Sequence, residues 1–159
     1  MENIIEISDY KTITGILNRA FITVAQQFNF SKENAPHFPA FIDFHEIKNQ
    51  LDKGLKMYGY LYNEQVVGCI GYSYYKDKIY YIERLATLPE YRHLLIGKRL
   101  MEHIENRIRD EGGKIAEIHI VDKNGVLKEW YKRLGYIEIR IDEIKTMPFN
   151  SLVMKKVLF

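Results

Sequence analysis

Ile79-Tyr80-Tyr81-Ile82-Glu83-Arg84-Leu85-Ala86-Thr87-Leu88-Pro89-Glu90-Tyr91-Arg92-His93-Leu94-Leu95-Ile96-Gly97-Lys98-Arg99-Leu100 is the stretch on which the fold turns. Its first nine residues, Ile79 to Thr87, are aromatic or β-branched enough to read as a strand. After Pro89 the period changes. Ile96, Leu100, Met101, Ile104 and Ile108 recur at the three-and-four spacing of one helix face, predicting a long helix that runs to Glu111 and ends at Gly112-Gly113. A helix start gathers anions, because its first N–H groups are unpaired and its dipole is positive there, and Arg92, Lys98 and Arg99 add charge at that end. Taken alone, these bases are better read as residues solvated around a turn.

Upstream, Ile4 to Ile7 reads as a strand, Ser8 or Asp9 as a cap, and Ile13, Ile16, Leu17, Ala20, Phe21 and Val24 as the inward face of a helix. Asn29 to Phe44 is irregular, with Phe30, Phe38, Phe41 and Phe44 set among Asn, Pro and Ser. A short helix is expected over Glu46 to Lys53, stopped by Gly54, then strands over Met57 to Tyr62 and Val66 to Tyr75 that form an antiparallel meander with Ile79 to Thr87. Downstream, Lys114 to Val121 reads as a strand, Val126 to Leu134 as a helix closed by Gly135, and Tyr136 to Ile141 and Leu152 to Leu158 as strands. The pattern predicts a single α/β (α+β) domain over residues 1–159. Its sheet is mixed and mostly antiparallel, about seven strands with about four helices, and has a parallel pair where the long helix crosses over.

Composition agrees with a globular chain: of 159 residues 47% are apolar and 28% charged, and the net charge is +2 with no block of like charges. That balance gives no electrostatic case for nucleic acid or an anionic membrane. The most apolar run, Val66 to Tyr75, is far shorter than the roughly 20 residues a span requires. Met1 to Tyr10 carries three acids before its first base and lacks the features of a secretory leader, and the one cysteine, Cys69, excludes an intrachain disulfide. A cytoplasmic location is expected. His37, His45, His93, His103 and His119 show no paired ligand spacing, and no metal is expected.

A second segment, Asn124-Gly125-Val126-Leu127-Lys128-Glu129-Trp130-Tyr131-Lys132-Arg133-Leu134-Gly135-Tyr136, gives the first its meaning. Together they resemble the GNAT superfamily of acyl-CoA-dependent N-acetyltransferases, whose pyrophosphate loop reads Q/R-x-x-G-x-G/A and whose later helix reads N-x-x-A-x-x-hydrophobic-Tyr-x-x-x-G-Phe/Tyr. Arg92, Gly97, Asn124, Trp130, Tyr131, Gly135 and Tyr136 fall in register, and the element order is similar along nearly the whole chain. Two positions depart: Leu95 stands at the loop's first glycine and Leu127 at the alanine of the helix. A side chain at 95 is expected to crowd a backbone that must approach pyrophosphate closely.

The resemblance implies acetyl-CoA as acetyl donor, held where the parallel strands splay. It implies that Leu85, Ala86 and Thr87 meet the pantetheine arm, that Arg92, His93, Leu94, Leu95, Ile96, Gly97 and Lys98 hold the pyrophosphate, and that Asn124 and Tyr131 lie beside them. Tyr131, with an ordinary pKa of about 10, is suited to protonate the departing thiolate; a packed aromatic is the plainer reading of the residue without its motif.

Glu83 and Arg84 interrupt an apolar strand, where charges are costly unless paired or facing a wet cleft. Glu83 as general base and Glu83 as half of a structural ion pair stand as equal readings. Phe38, Phe41, Tyr72 and Tyr81 are candidate walls for the acceptor, two of the three phenylalanines Phe38, Phe41 and Phe44 being expected only to pin their loop. Met147-Pro148-Phe149 reads equally as an edge of that pocket or a plain turn.

The function expected is acetyl transfer to a primary amine, of a small molecule first or of a peptide, by direct attack in a ternary complex; a homodimer is compatible with the sequence. An acyl-CoA-binding module without turnover, its loop disabled by Leu95, is the alternative, and a bare interaction domain a third.

Overall fold

In the computed structural model, residues 3–159 are described; Met1 and Glu2, part of the stretch read as lacking a leader, lie outside them. The order of elements is β1 (Ile4–Ile7), α1 (Tyr10–Phe28), α2 (Phe44–Asp52), β2 (Lys56–Tyr62), β3 (Gln65–Lys76), β4 (Ile79–Thr87), a 3₁₀ turn (Pro89–Tyr91), α3 (Ile96–Asp110), β5 (Ile115–Val121), α4 (Gly125–Arg133), β6 (Ile137–Asp142) and β7 (Ser151–Val157). Asp9, not Ser8, caps α1, its carboxylate accepting from Lys11 N at 3.1 Å and Thr12 N at 3.3 Å.

One expectation needs correcting. The long helix does not begin at Pro89; that residue opens a single 3₁₀ turn, and His93 (φ 72°) and Leu95 (φ 62°) then take left-handed backbone conformations no helix can contain. The helix therefore starts at Ile96 and leaves a free-standing loop behind the strand.

The seven strands form one mixed sheet in the order β1-β2-β3-β4-β5-β7-β6. Its first four strands are the antiparallel run expected of β1 and the meander. β4 and β5 are parallel, as the crossover through α3 demands, and β7 inserts between β5 and β6. The ladder between β4 and β5 is short: only Ile79, Tyr80 and Tyr81 pair, with Ile115, Ala116 and Glu117, before the strands part. On its other side β4 pairs with β3 through a bulge, since Cys69 opposes Ala86 and Gly71 opposes Glu83, leaving Arg84 and Leu85 against the lone Ile70.

α3 buries Ile96, Leu100, Met101, Ile104 and Ile108 against the sheet, and Gly68 lets it come close, since a Cβ there would stand 3.1 Å from Ile96 Cγ2. A second apolar cluster forms under the irregular segment, where Phe30 and Phe38 pack on Phe149 at ring distances of 4.9 and 5.9 Å. Among the described residues no helix is long and apolar enough to cross a membrane.

Glu105 of α3 is one of few buried charged residues; it accepts from Tyr136 Oη at 3.1 Å and from Lys156 Nζ at 2.8 Å. Removing it strands a partly buried ammonium and a buried hydroxyl, which costs about 3 kcal/mol or more. Glu105→Ala is expected to lower the thermal midpoint by roughly 6–12 °C, and adding Lys156→Met should restore part of that loss, both read by calorimetry.

Candidate active site

Where β4 and β5 part, the sheet opens into a cavity of about 910 Å³ that also reaches α1, the loop before α2, and α4. The cause is the lost ladder: beyond Tyr81 the backbone of β4 has no partner strand on its β5 side, so Leu85, Ala86 and Thr87 line the cavity. α4 closes the opposite wall with Trp130 and Tyr131.

The loop forms the cavity's mouth. Arg92 and Gly97 lie on its wall, whereas His93, Leu94, Leu95, Ile96 and Lys98 stand outside the lining. Leu95 is 62% exposed and holds a left-handed backbone conformation, φ 62°, that favours glycine. Ile96 is a core residue. Arg92 donates to Thr23 Oγ1 at 3.1 Å and to Ala20 O at 2.7 Å, which ties the loop to α1 and occupies a guanidinium expected to meet pyrophosphate. What the mouth offers an anion is backbone. Leu95 supplies no side-chain cap, and the first N–H groups of α3 have no partner inside the helix. A Cβ at Gly97 would touch the Trp130 ring at 3.4 Å, so this glycine keeps the two helices close at the mouth.

Asn124 caps α4, its Oδ1 accepting from Leu127 N at 3.1 Å, and Gly135 (φ 99°) ends the helix with its N–H donating to Lys132 O. These two turns aim Tyr131 inward, its ring edge-on to Trp130 and Tyr136 at 4.9 and 5.6 Å. Burial pushes the Tyr131 phenol well above its ordinary value, and among the described residues its hydroxyl makes no hydrogen bond. The group stays protonated at any working pH.

Glu83 and Arg84 both line the cavity, and among the described residues neither forms an ion pair. Desolvation raises the Glu83 carboxyl above the usual range, partly offset by the charges of Arg84 and His119. Tyr81 also faces the cavity, stacked on Tyr75 at 4.6 Å, and burial with a hydrogen bond to Tyr75 lifts its phenol to about 12.

Of the other candidate walls, Phe38 lines the cavity, with Met147 and Phe149 of the turn before β7, whereas Phe41 packs only within the second cluster. Tyr72 stands elsewhere: it is buried away from the cavity and donates to Glu111 Oε1 at 2.6 Å, because its register on β3 faces it toward the end of α3. Phe44 stacks on Tyr10.

The sequence reading passed over His119. It lines the cavity from β5, its Nε2 3.2 Å from Glu117 Oε1 and its Nδ1 3.5 Å from Ser151 Oγ. Glu117 and His119 alternate onto one strand face, a signal that was present in the sequence. Gln50 was missed as well; its Oε1 accepts from Arg84 Nε at 3.2 Å. Among the described residues no three His, Cys, Asp or Glu side chains converge on a metal position.

This chain matches the sequence model described as "Acetyltransferase (GNAT) family" over residues 18–136. It is 36% identical over 78 residues to an uncharacterized N-acetyltransferase of Chlorobaculum tepidum, a stretch that is 49% of this chain and spans only 47% of that relative's length. Its fold is similar to that of the ribosomal-protein-S18-alanine N-acetyltransferase from Escherichia coli, with a TM-score of 0.78 at 15% identity over 99% of this chain and 94% of the other. It is equally similar, with a TM-score of 0.78 at 18% identity over 97% of both chains, to the PaiA N-acetyltransferase from Thermoplasma acidophilum in complex with coenzyme A.

The left-handed turn at Leu95 stores strain of about 1–2 kcal/mol that glycine would release and a β-branched residue would increase, while glycine returns about 0.5–1 kcal/mol through the freer unfolded chain. Unfolding midpoints should rank Leu95→Gly equal to or above the parent and Leu95→Val below it. Three equal midpoints would contradict strain at this position.

Proposed function

The chain belongs to the acetyltransferase (GNAT) family, and from that premise we propose that it is an N-acetyltransferase moving acetyl from acetyl-CoA to a primary amine by direct attack, with both substrates bound together. The carrying observation is that one cavity reaches Gly97 in the open first turn of α3 and holds the unpaired backbone of β4, a carboxylate of raised pKa at Glu83, and the protonated Tyr131. These residues fit an acyl-CoA. The N–H groups at the start of α3 suit the pyrophosphate and Leu85 to Thr87 suit the pantetheine arm. Acetyl-CoA is the acyl donor, hence a substrate, and it supplies a thioester carbonyl.

Glu83 takes a proton from the incoming amine, a task that its raised pKa favours. The amine nitrogen forms its bond to the acetyl carbon as the carbon–sulfur bond breaks, and Tyr131 gives its proton to the departing sulfur. Solvent returns one proton to Tyr131 and removes one from Glu83, so the balance is one proton moved from nitrogen to sulfur. Cys69 argues against a covalent acyl-enzyme: it is fully buried, it donates to Arg84 O, and burial pushes its thiol up to about 12. We place the reaction in the cytoplasm, where a lone thiol stays reduced.

Two outcomes test this. Tyr131→Phe should lower kcat about 10²–10⁴-fold while calorimetric CoA affinity stays within a few-fold, and full turnover would remove the acid role. Glu83 works only when ionised, so kcat/KM should rise with pH through an acid limb displaced upward from the ordinary carboxylate range. In Glu83→Gln that limb should vanish along with most of the rate; an unaltered pH–rate profile would exclude the base role.

A further inference from the structure

Glu83 and Arg84 are consecutive, yet both enter one cavity. In a regular strand, neighbours face opposite sides of the sheet. The bulge against Ile70, with Arg84 at φ 60°, turns the second residue onto the face of the first. Neither is closed off by an ion pair: among the described residues Glu83 makes no hydrogen bond, Arg84 commits only Nε, to Gln50 Oε1, and the two charges offset each other only at a distance, with His119 and Glu46 beside them. Half-buried opposite charges held side by side, with their remaining hydrogen-bonding atoms open to the cavity, suit a ligand that carries both signs.

The rest of the wall narrows the class. Among the described residues Glu83 is the only carboxylate lining the cavity, against the guanidinium groups of Arg84, Arg92 and Arg133. A polycationic acceptor would meet more repulsion than attraction there. The lining also carries an apolar group, Phe21, Val24, Phe38, Met147 and Phe149, contributed by α1, the loop before α2 and the turn before β7. We infer that the acceptor is a free α-amino acid with an apolar side chain, its carboxylate on the Arg84 guanidinium, its amine toward Glu83 and its side chain among these apolar groups. The inference rests on the acetyl-transfer reading above and specifies its acceptor.

The test titrates the CoA-loaded protein calorimetrically with L-phenylalanine, L-phenylalaninamide and phenethylamine, then follows thiol release from acetyl-CoA with the same three compounds. The amino acid should bind and react at least about tenfold better than the other two, as expected for a charge-assisted pair in a partly desolvated site. Arg84→Gln should collapse that ratio toward one, and Arg84→Lys should retain part of it. Amide and amine performing as well as the amino acid, or a ratio unmoved in Arg84→Gln, would overturn the inference. Failure of all three to bind would also overturn it, while thiol release with spermidine or kanamycin would leave acetyl transfer standing. Selective binding of the amino acid without thiol release from any acceptor would sustain the acceptor class and remove the catalytic reading.

Discussion

The parting of β4 from β5 after three paired residues is the constraint on which the molecule depends. A parallel pair inside a mixed sheet would normally run on, each residue gaining a ladder bond, and ending it early leaves backbone groups that need another partner. The sheet survives because both strands are held from their outer sides: β4 pairs with β3 to its last residue, and β5 pairs with β7 along its whole length. The crossover helix α3 anchors both halves beneath the split by burying one apolar stripe. The opening is thus a wedge between two strands, each held from its outer side.

The bulge in β4 compounds the effect. A regular strand would have turned Glu83 and Arg84 to opposite faces, one of them into the core below α3, at a cost of several kcal/mol for an unpaired ion. One extra residue against Ile70 brings both to the wet side. Hydrogen bonds from Cys69 Sγ to Arg84 O and from Arg84 Nε to Gln50 then hold the kinked segment from below and from α2. The strand's structural irregularity and its chemistry are therefore one feature.

Much of this was legible in the sequence, for definable reasons. Apolar spacing located every strand, and every helix but the start of α3, to within a few residues, because each buries one face, and Asn124 and Gly135 marked the ends of α4 through their cap geometry. Three things were not legible. The start of α3 was drawn too early because His93 and Leu95 are ordinary residues in conformations that sequence patterns assign to glycine. The shared face of Glu83 and Arg84 was hidden because a bulge has no composition signal when no glycine marks it. Tyr72 was misplaced because a tyrosine suits a core as well as a pocket wall, and only register decides which it joins.

The loop before α3 shows how such strain is carried. Two non-glycine residues in left-handed conformations cost about 1–2 kcal/mol each, and an isolated loop would relax out of them. Arg92 prevents that: its two hydrogen bonds to α1 fix the start of the loop from a helix that is itself buried along Ile13, Ile16, Leu17 and Ala20. At the other end, Ile96 and Leu100 are locked in the core beside Gly68. With both ends pinned, the intervening backbone must turn left-handed, and that turn leaves the first amides of α3 uncapped beside the cavity. Arg92 thus acts on the loop through leverage on its backbone, and the N–H donors left open at the start of α3 do not depend on side-chain identity.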